Sequence, residues 1–230
     1  MSEIVGDQEG LMTSTSAGTG PVAGPVPAFF DPHEPSDHST VWLIRHGETE
    51  WSKSGQHTGR TDLDLTEHGV EQALALKPLL ATIKPTLVLA SPRRRAQRTA
   101  ELGGMAVDAI DPDLSEWDYG DYEGLTSSQI EKLDPGWTIW RGNVPGGETS
   151  EQVTERADRL LARVAAALVD GPVVLFGHGH INRAIAVRWV GLDLSFGSAF
   201  SLGTAAPCLL GVEHSRPVIV RWNMTNPAAV

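Results

Sequence analysis

From Thr40 onward, short apolar runs with strand character alternate with stretches whose apolar residues recur at helical spacing. A chain built this way buries both kinds of surface only if helices cover the faces of a sheet whose strands run mostly parallel. Thr40-Val-Trp-Leu-Ile-Arg45, Thr86-Leu-Val-Leu-Ala90 and Pro172-Val-Val-Leu-Phe176 read as buried strands. Thr66 is the expected cap of a helix with Val70, Leu74, Leu79 and Ile83 on one stripe, bent at Pro78. Ser91-Pro92 predicts a cap followed by proline at the first helical position. A longer helix is expected from Thr149, at capping-box spacing from Gln152, to about Val169, where Gly171-Pro172 stops it; another runs from about Ile181 to Val190. Two late runs, Cys208 to Val212 and Val218 to Trp222, flank Glu213-His-Ser-Arg216 and predict a hairpin at one edge. The expected fold is α/β, a three-layer α/β/α sandwich with a mostly parallel central sheet.

Residues 1–38 break the pattern. They hold Glu3, Asp7, Glu9, Asp31, Glu34 and Asp37 without a Lys or Arg, together with Ser/Thr/Gly clusters and five prolines. Such a segment buries too little apolar surface to offset the entropy of ordering, so a disordered acidic tail is expected at 1–38 and one domain at 39–230. The chain's formal charge of −11 argues against non-specific nucleic-acid binding. No apolar run approaches the roughly 20 residues of a spanning helix, the start lacks a signal-peptide pattern, and the lone Cys208 makes no internal disulfide. A cytoplasmic protein with no membrane or nucleic-acid partner is therefore expected, its oligomeric state, homodimer included, left open.

Ligands of such sheets bind beyond the C-terminal strand ends. Three places qualify: Arg45-His46-Gly47, Ser91 to Arg95, and Gly177-His178-Gly179. Arginines supply planar donor forks for phosphate oxygens, and histidines serve as nucleophile or proton carrier near neutral pH. Adjacent glycines admit close backbone approach, and helix N-termini add oriented N–H groups. Together these groups suit a phosphoryl group.

The ordered segments Leu43-Ile-Arg-His-Gly-Glu-Thr-Glu-Trp51, His57-Thr-Gly-Arg-Thr-Asp-Leu-Asp-Leu-Thr66, Ser91-Pro-Arg-Arg-Arg-Ala-Gln-Arg-Thr-Ala100, Glu116-Trp-Asp-Tyr-Gly-Asp-Tyr-Glu-Gly124 and Gly177-His-Gly179 resemble the histidine phosphatase superfamily, the phosphoglycerate mutase-like proteins. The resemblance spans about residues 40 to 190. It implies His46 as the nucleophile that becomes phosphorylated, Arg45, Arg95 and His178 as holders of the equatorial oxygens, and Glu116 as acid and base. It places Ser52, Thr58, Gly59, Tyr119 and Gly179 around the phosphate, and it requires neither metal nor other cofactor. His46 should then be neutral, with one ring nitrogen tied to a fixed acceptor. An ordinary carboxyl group, of pKa about 4.3, is protonated in roughly one molecule in 500 at pH 7, so turnover should be faster on the acidic side.

Within the resemblance, mutases carry arginine after the acid and asparagine at the place of Ser52; here Trp117 follows Glu116, and the stretch from Glu116 to His178 is short and poor in basic residues. This favours hydrolysis of small phosphomonoesters, such as sugar phosphates and phosphoglycerate-like metabolites, over a phosphoglycerate-type mutase. The segments look most like a subgroup of broad-specificity acid phosphatases and sedoheptulose-bisphosphate phosphatases. A catalytically poor phospho-ligand binder is the alternative from another class, and it would need no acid. Trp117, Tyr122 and Trp137 to Trp140 are expected as an apolar wall over the leaving group. His57 and His180 beside His46 and His178 raise zinc, but lack ligand spacing with Cys or carboxylate. Arg93, Arg94 and Arg98 read as a solvated helix face, and Arg156, Arg159 and Arg163 as part of an amphipathic helix.

Overall fold

The computed structural model describes residues 40–226; the acidic tail expected at 1–38 lies outside them. The elements follow in the order β1 (Val41–Arg45), α1 (Glu50–Ser54), α2 (Glu67–Leu74), α3 (Lys77–Leu80), β2 (Leu87–Ala90), α4 (Arg94–Leu102), β3 (Ala109–Ile110), α5 (Ser127–Leu133), α6 (Ser150–Ala167), β4 (Val173–Gly177), α7 (Gly179–Trp189), β5 (Pro207–Glu213) and β6 (Arg216–Arg221). One six-stranded sheet runs β3-β2-β4-β1-β5-β6. Its pairs from β3 to β1 are parallel and the hairpin β5–β6 is antiparallel, as expected for the late apolar runs.

Alternate side chains of the central strands go to opposite faces. Val41, Leu43, Val173 and Leu175 pack with residues of α6 and α7, including Leu160, Leu161, Ile185 and Trp189. Ile44, Val174 and Phe176 pack on the other face with Leu76, Leu80, Ala96 and Ala100. Both faces are therefore dry, giving the three layers. Thr149 caps α6 with the reciprocal Gln152 bond that the sequence implies.

Two local expectations change. The single helix from Thr66 divides, because Pro78 has no N–H to give and sits instead in the first turn of the new helix α3. Ser91 does not cap α4: the helix starts at Arg94 with Arg93 as an uncapped N-cap, and the Ser91 hydroxyl faces His178 instead. Among the described residues no helix is long and apolar enough to cross a membrane.

The register pairs Arg45 with Gly177, so the residues that follow β1 and β4 leave the sheet side by side. His46 N–H donates to Gly177 O at 3.0 Å, and the Ala205 N–H donates to His46 O at 3.0 Å. The backbone of position 46 is thus pinned from both sides before its side chain makes any contact.

Candidate active site

His46 is 4% exposed, and its Nδ1 lies 2.7 Å from Gly47 O. A carbonyl only accepts, so Nδ1 bears the proton and Nε2 keeps its lone pair. Burial, followed by the charges of Arg95 and Arg45, pushes the His46 pKa well below its ordinary 6.5, which leaves the ring neutral. Gly47 is required by close approach: a Cβ there would stand 2.4 Å from Gly69 O. The Gly47 N–H donates to Thr99 Oγ1, whose hydroxyl donates to Arg95 O, so α4 fixes the turn of the nucleophile.

Arg95 is fully buried, which lowers its pKa to about 10 while leaving it charged at neutrality. It donates from Nε to His178 Nδ1 (3.2 Å) and from its terminal nitrogens to Thr61 O, Thr58 O and Gly59 O. Since Nε of arginine can only donate, His178 Nδ1 accepts and its proton sits on Nε2, 2.7 Å from Ser91 Oγ. The His46 and His178 ring centroids are 5.1 Å apart. Arg45 donates to Leu202 O, and its buried Nε has no protein hydrogen-bond partner.

Glu116 is 7% exposed and accepts three backbone bonds, each 2.9 Å: Oε1 from Trp117 N–H and Ile181 N–H, Oε2 from His180 N–H. Its carboxylate therefore occupies the N-terminus of α7, where unpaired amides and the helix dipole favour negative charge. The segment carrying it is held by α6. Arg156, nearly fully buried, bonds both Glu148 oxygens (2.7 and 2.9 Å) and the carbonyls of Asp113 and Ser115. Arg159 and Arg163 pair with Asp113, and Arg163 also with Asp111. Glu148 completes the hold: its Oε2 accepts from Asp118 N–H, its own N–H donates to Asp118 O, and its carbonyl accepts from Trp117 Nε1. These arginines, read from sequence as one side of an amphipathic helix, are the fasteners of the acid segment.

A cleft of about 370 Å³ opens above His46. Of the residues expected at the site, Arg45, His46, Ser52, Thr58, Glu116, Tyr119 and Gly179 line it, while Arg95, His178 and Gly59 lie behind its wall. Gly59 N–H is taken by the Glu123 carboxylate, and the Ser52 hydroxyl by the capping box of α1 with Thr49. The expected apolar wall is not there. Trp117, Tyr122, Trp137 and Trp140 are buried in the main core, because such large surfaces gain most by leaving water and their indole N–H groups find carbonyls at Glu148 and Asn143. The rest of the lining is mainly polar: Gln56, His57, Ser127, His180, Arg183 and Ser201 among them. Arg183 sits over the Trp140 face (4.7 Å) and donates to Phe200 O. Its spacing of four residues from Gly179, on the first turn of α7, is the signal that would have found it. Among the described residues no group of three His, Cys, Asp or Glu side chains is placed to hold a metal ion.

Residues 41–225 match the model of the histidine phosphatase superfamily, branch 1. The chain belongs to that superfamily. It is 43% identical to an acid phosphatase of Mycobacterium tuberculosis over 75% of this chain and 86% of that one. It is 35% identical to the sedoheptulose 1,7-bisphosphatase of Saccharomyces cerevisiae, over 66% and 68% respectively. The solved structure of a Mycobacterium tuberculosis open reading frame product superposes with a TM-score of 0.79 at 40% identity, covering 81% of this chain and 98% of that one. As a histidine phosphatase, the chain has its fold and its class of chemistry in common with these proteins.

Proposed function

We propose that this histidine phosphatase hydrolyses small phosphomonoesters, sugar phosphates and phosphoglycerate-like metabolites among them, through a phosphohistidine at His46. The observation that carries the reading is the neutral His46 with Nδ1–H fixed on Gly47 O and Nε2 free to attack, in one cleft with a carboxyl group held on the N-terminus of α7. In the first step the Nε2–P bond forms, the bond from phosphorus to the leaving oxygen breaks, and the proton of Glu116 goes to that oxygen. In the second, water attacks phosphorus, the Nε2–P bond breaks, and Glu116 takes the water's proton, which restores its acid form.

Arg45 offers its unpartnered Nε to an equatorial oxygen, and Arg95 adds its charge from beneath. His178 offers the Nε2 proton now shared with Ser91. This arrangement of fixed donors supplies the charge stabilisation on which phosphoryl transfer chiefly depends. Arg183 in the cleft wall suits leaving groups bearing a further anionic group, in keeping with a relative that acts on a sugar bisphosphate. A mutase would need the residue after the acid to grip the substrate, and Trp117 is instead 1% exposed in the core. The requirement for protonated Glu116 makes acidic solution favourable, and a cytoplasmic setting fits the lone, buried Cys208.

The test is His46→Ala with a panel of 3-phosphoglycerate, sugar phosphates and an aryl phosphate, following phosphate and isomer. Loss of at least about 10³-fold in phosphate release, with an acid-labile adduct quenched from wild type alone, is expected. Isomer without phosphate, or an active variant, would overturn the reading.

A further inference from the structure

Two histidines on the cleft wall take no part in the chemistry above, and the free nitrogens of their rings are chemically opposite. His57 Nδ1 lies 2.8 Å from Leu125 O. The carbonyl can only accept, so Nδ1 holds the proton and Nε2 is left as an acceptor. His180 Nδ1 lies 2.6 Å from the Tyr119 hydroxyl. Tyr119 is fully buried, and burial together with the negative charge of Glu116 raises its pKa well above 10, so the phenol keeps its proton and gives it to Nδ1. The proton of the His180 ring is thereby on Nε2, which becomes a donor. Burial lowers the pKa of both rings, that of His180 strongly, so each carries one proton at pH 7. The rings are nearly parallel, 8° apart in plane and 5.9 Å between centroids, and both line the cleft that holds His46 and Glu116.

We propose that His57 and His180 are the specificity-determining pair of this cleft, a fixed acceptor beside a fixed donor that together read hydroxyl groups on the leaving alcohol. The proposal rests on the phosphatase reading and adds to it which part of the substrate is recognised. A hydroxyl both gives and takes a hydrogen bond. A carboxylate or ether oxygen would leave His57 unmatched, an ammonium group would leave His180 unmatched, and a hydrocarbon chain would leave both. Sites whose buried polar groups go unpaired reject the offending analogue far more strongly than apolar pockets reject a missing methylene. Polyhydroxylated phosphomonoesters are therefore favoured over hydroxyl-free ones of the same length.

The experiment compares glycerol 1-phosphate with propyl phosphate, two three-carbon primary esters with the same bond to be broken. Their kcat/KM ratio is measured in wild type, His57→Phe, His180→Phe and Tyr119→Phe. Wild type should favour the glycerol ester at least tenfold, mainly through KM. The ratio should fall severalfold in each variant, in Tyr119→Phe because the His180 tautomer is no longer fixed. Independently of how the variants fold, the wild-type ring ¹⁵N spectrum at pH 7 should show His57 protonated at Nδ1 and His180 at Nε2. A ratio near one in wild type, a ratio unchanged in both histidine variants, or the same tautomer on both rings would overturn the proposal. Failure of wild type to release phosphate from any ester would overturn the phosphatase reading instead. Calorimetric preference for glycerol 1-phosphate over propyl phosphate would then still support the pair, and equal binding would overturn it.

Discussion

Replacing Glu116 with glutamine separates proton transfer from everything else the cleft does. The amide is nearly isosteric and can still accept the Trp117 and Ile181 N–H groups through one oxygen, but its NH₂ must face the His180 N–H that Oε2 now satisfies. Losing one charge-assisted bond and setting two donors face to face costs about 1.5–3 kcal/mol. At roughly 2–4 °C per kcal/mol for a domain of this size, Tm falls by about 3–12 °C, so the variant remains folded at 25 °C. The kinetic effect is larger and selective. General acid–base catalysis contributes about 10²–10⁴-fold, or about 2.7–5.4 kcal/mol of barrier, and an alkyl phosphate should lose all of it. A dinitrophenyl phosphate needs no proton on departure, so its first step should be spared while the base-assisted second step slows. Stopped-flow should then record a burst of dinitrophenolate equal to the enzyme present, with phosphohistidine accumulating. The wild-type gain in rate toward acidic pH with the alkyl ester should also flatten in the variant. Equal losses on both esters without a burst would refute the placement of the proton on Glu116.

Two further outcomes follow from the surroundings of the site. Arg156→Met leaves Glu148 uncompensated and frees the carbonyls of Asp113 and Ser115, so thermal unfolding should show a loss of about 3 kcal/mol, partly restored by adding Glu148→Gln; a Tm within 2 °C of wild type would refute the clamp. His46, His178 and His180 all have folded pKa values pushed well below 6.5, foremost by burial. Below pH 6.5 the unfolded chain binds more protons, so their contribution is complete above that pH and lost as pH falls, at up to about 1.4 kcal/mol per pH unit for each ring. Differential scanning calorimetry should show Tm dropping from pH 7.5 to 5.5, and a flat profile would contradict neutral rings.

Much of the scaffold was legible because it obeys local rules. Thr149 and Gln152 announce α6, the apolar run at 173–176 announces a central strand, and Arg45-His46-Gly47 stands at a strand end where ligands gather. What stayed hidden depends on contacts across the fold. The Trp117, Trp137 and Trp140 side chains could equally have walled a ligand, and only packing against α6 and α7 decides for the core. Ser91 carries a good capping pattern, yet a histidine 87 residues away claims its hydroxyl. The opposed tautomers of His57 and His180 cannot be read from spacing, since they are fixed by Leu125 O and the Tyr119 hydroxyl from distant loops.

The reciprocal bonds between Asp118 and Glu148 close the chain on itself like a drawstring. Everything from Tyr119 to Gly147 leaves and returns at one knot, with the acid upstream of it and α6 immediately downstream. That intervening excursion supplies Tyr119 and Ser127 to the cleft without bearing the load of holding Glu116. Its aromatic residues are anchored in the core and its Tyr119 and Leu125 orient the two cleft histidines, so the excursion shapes what the alcohol meets while the knot at Asp118 and Glu148 keeps the acid in place.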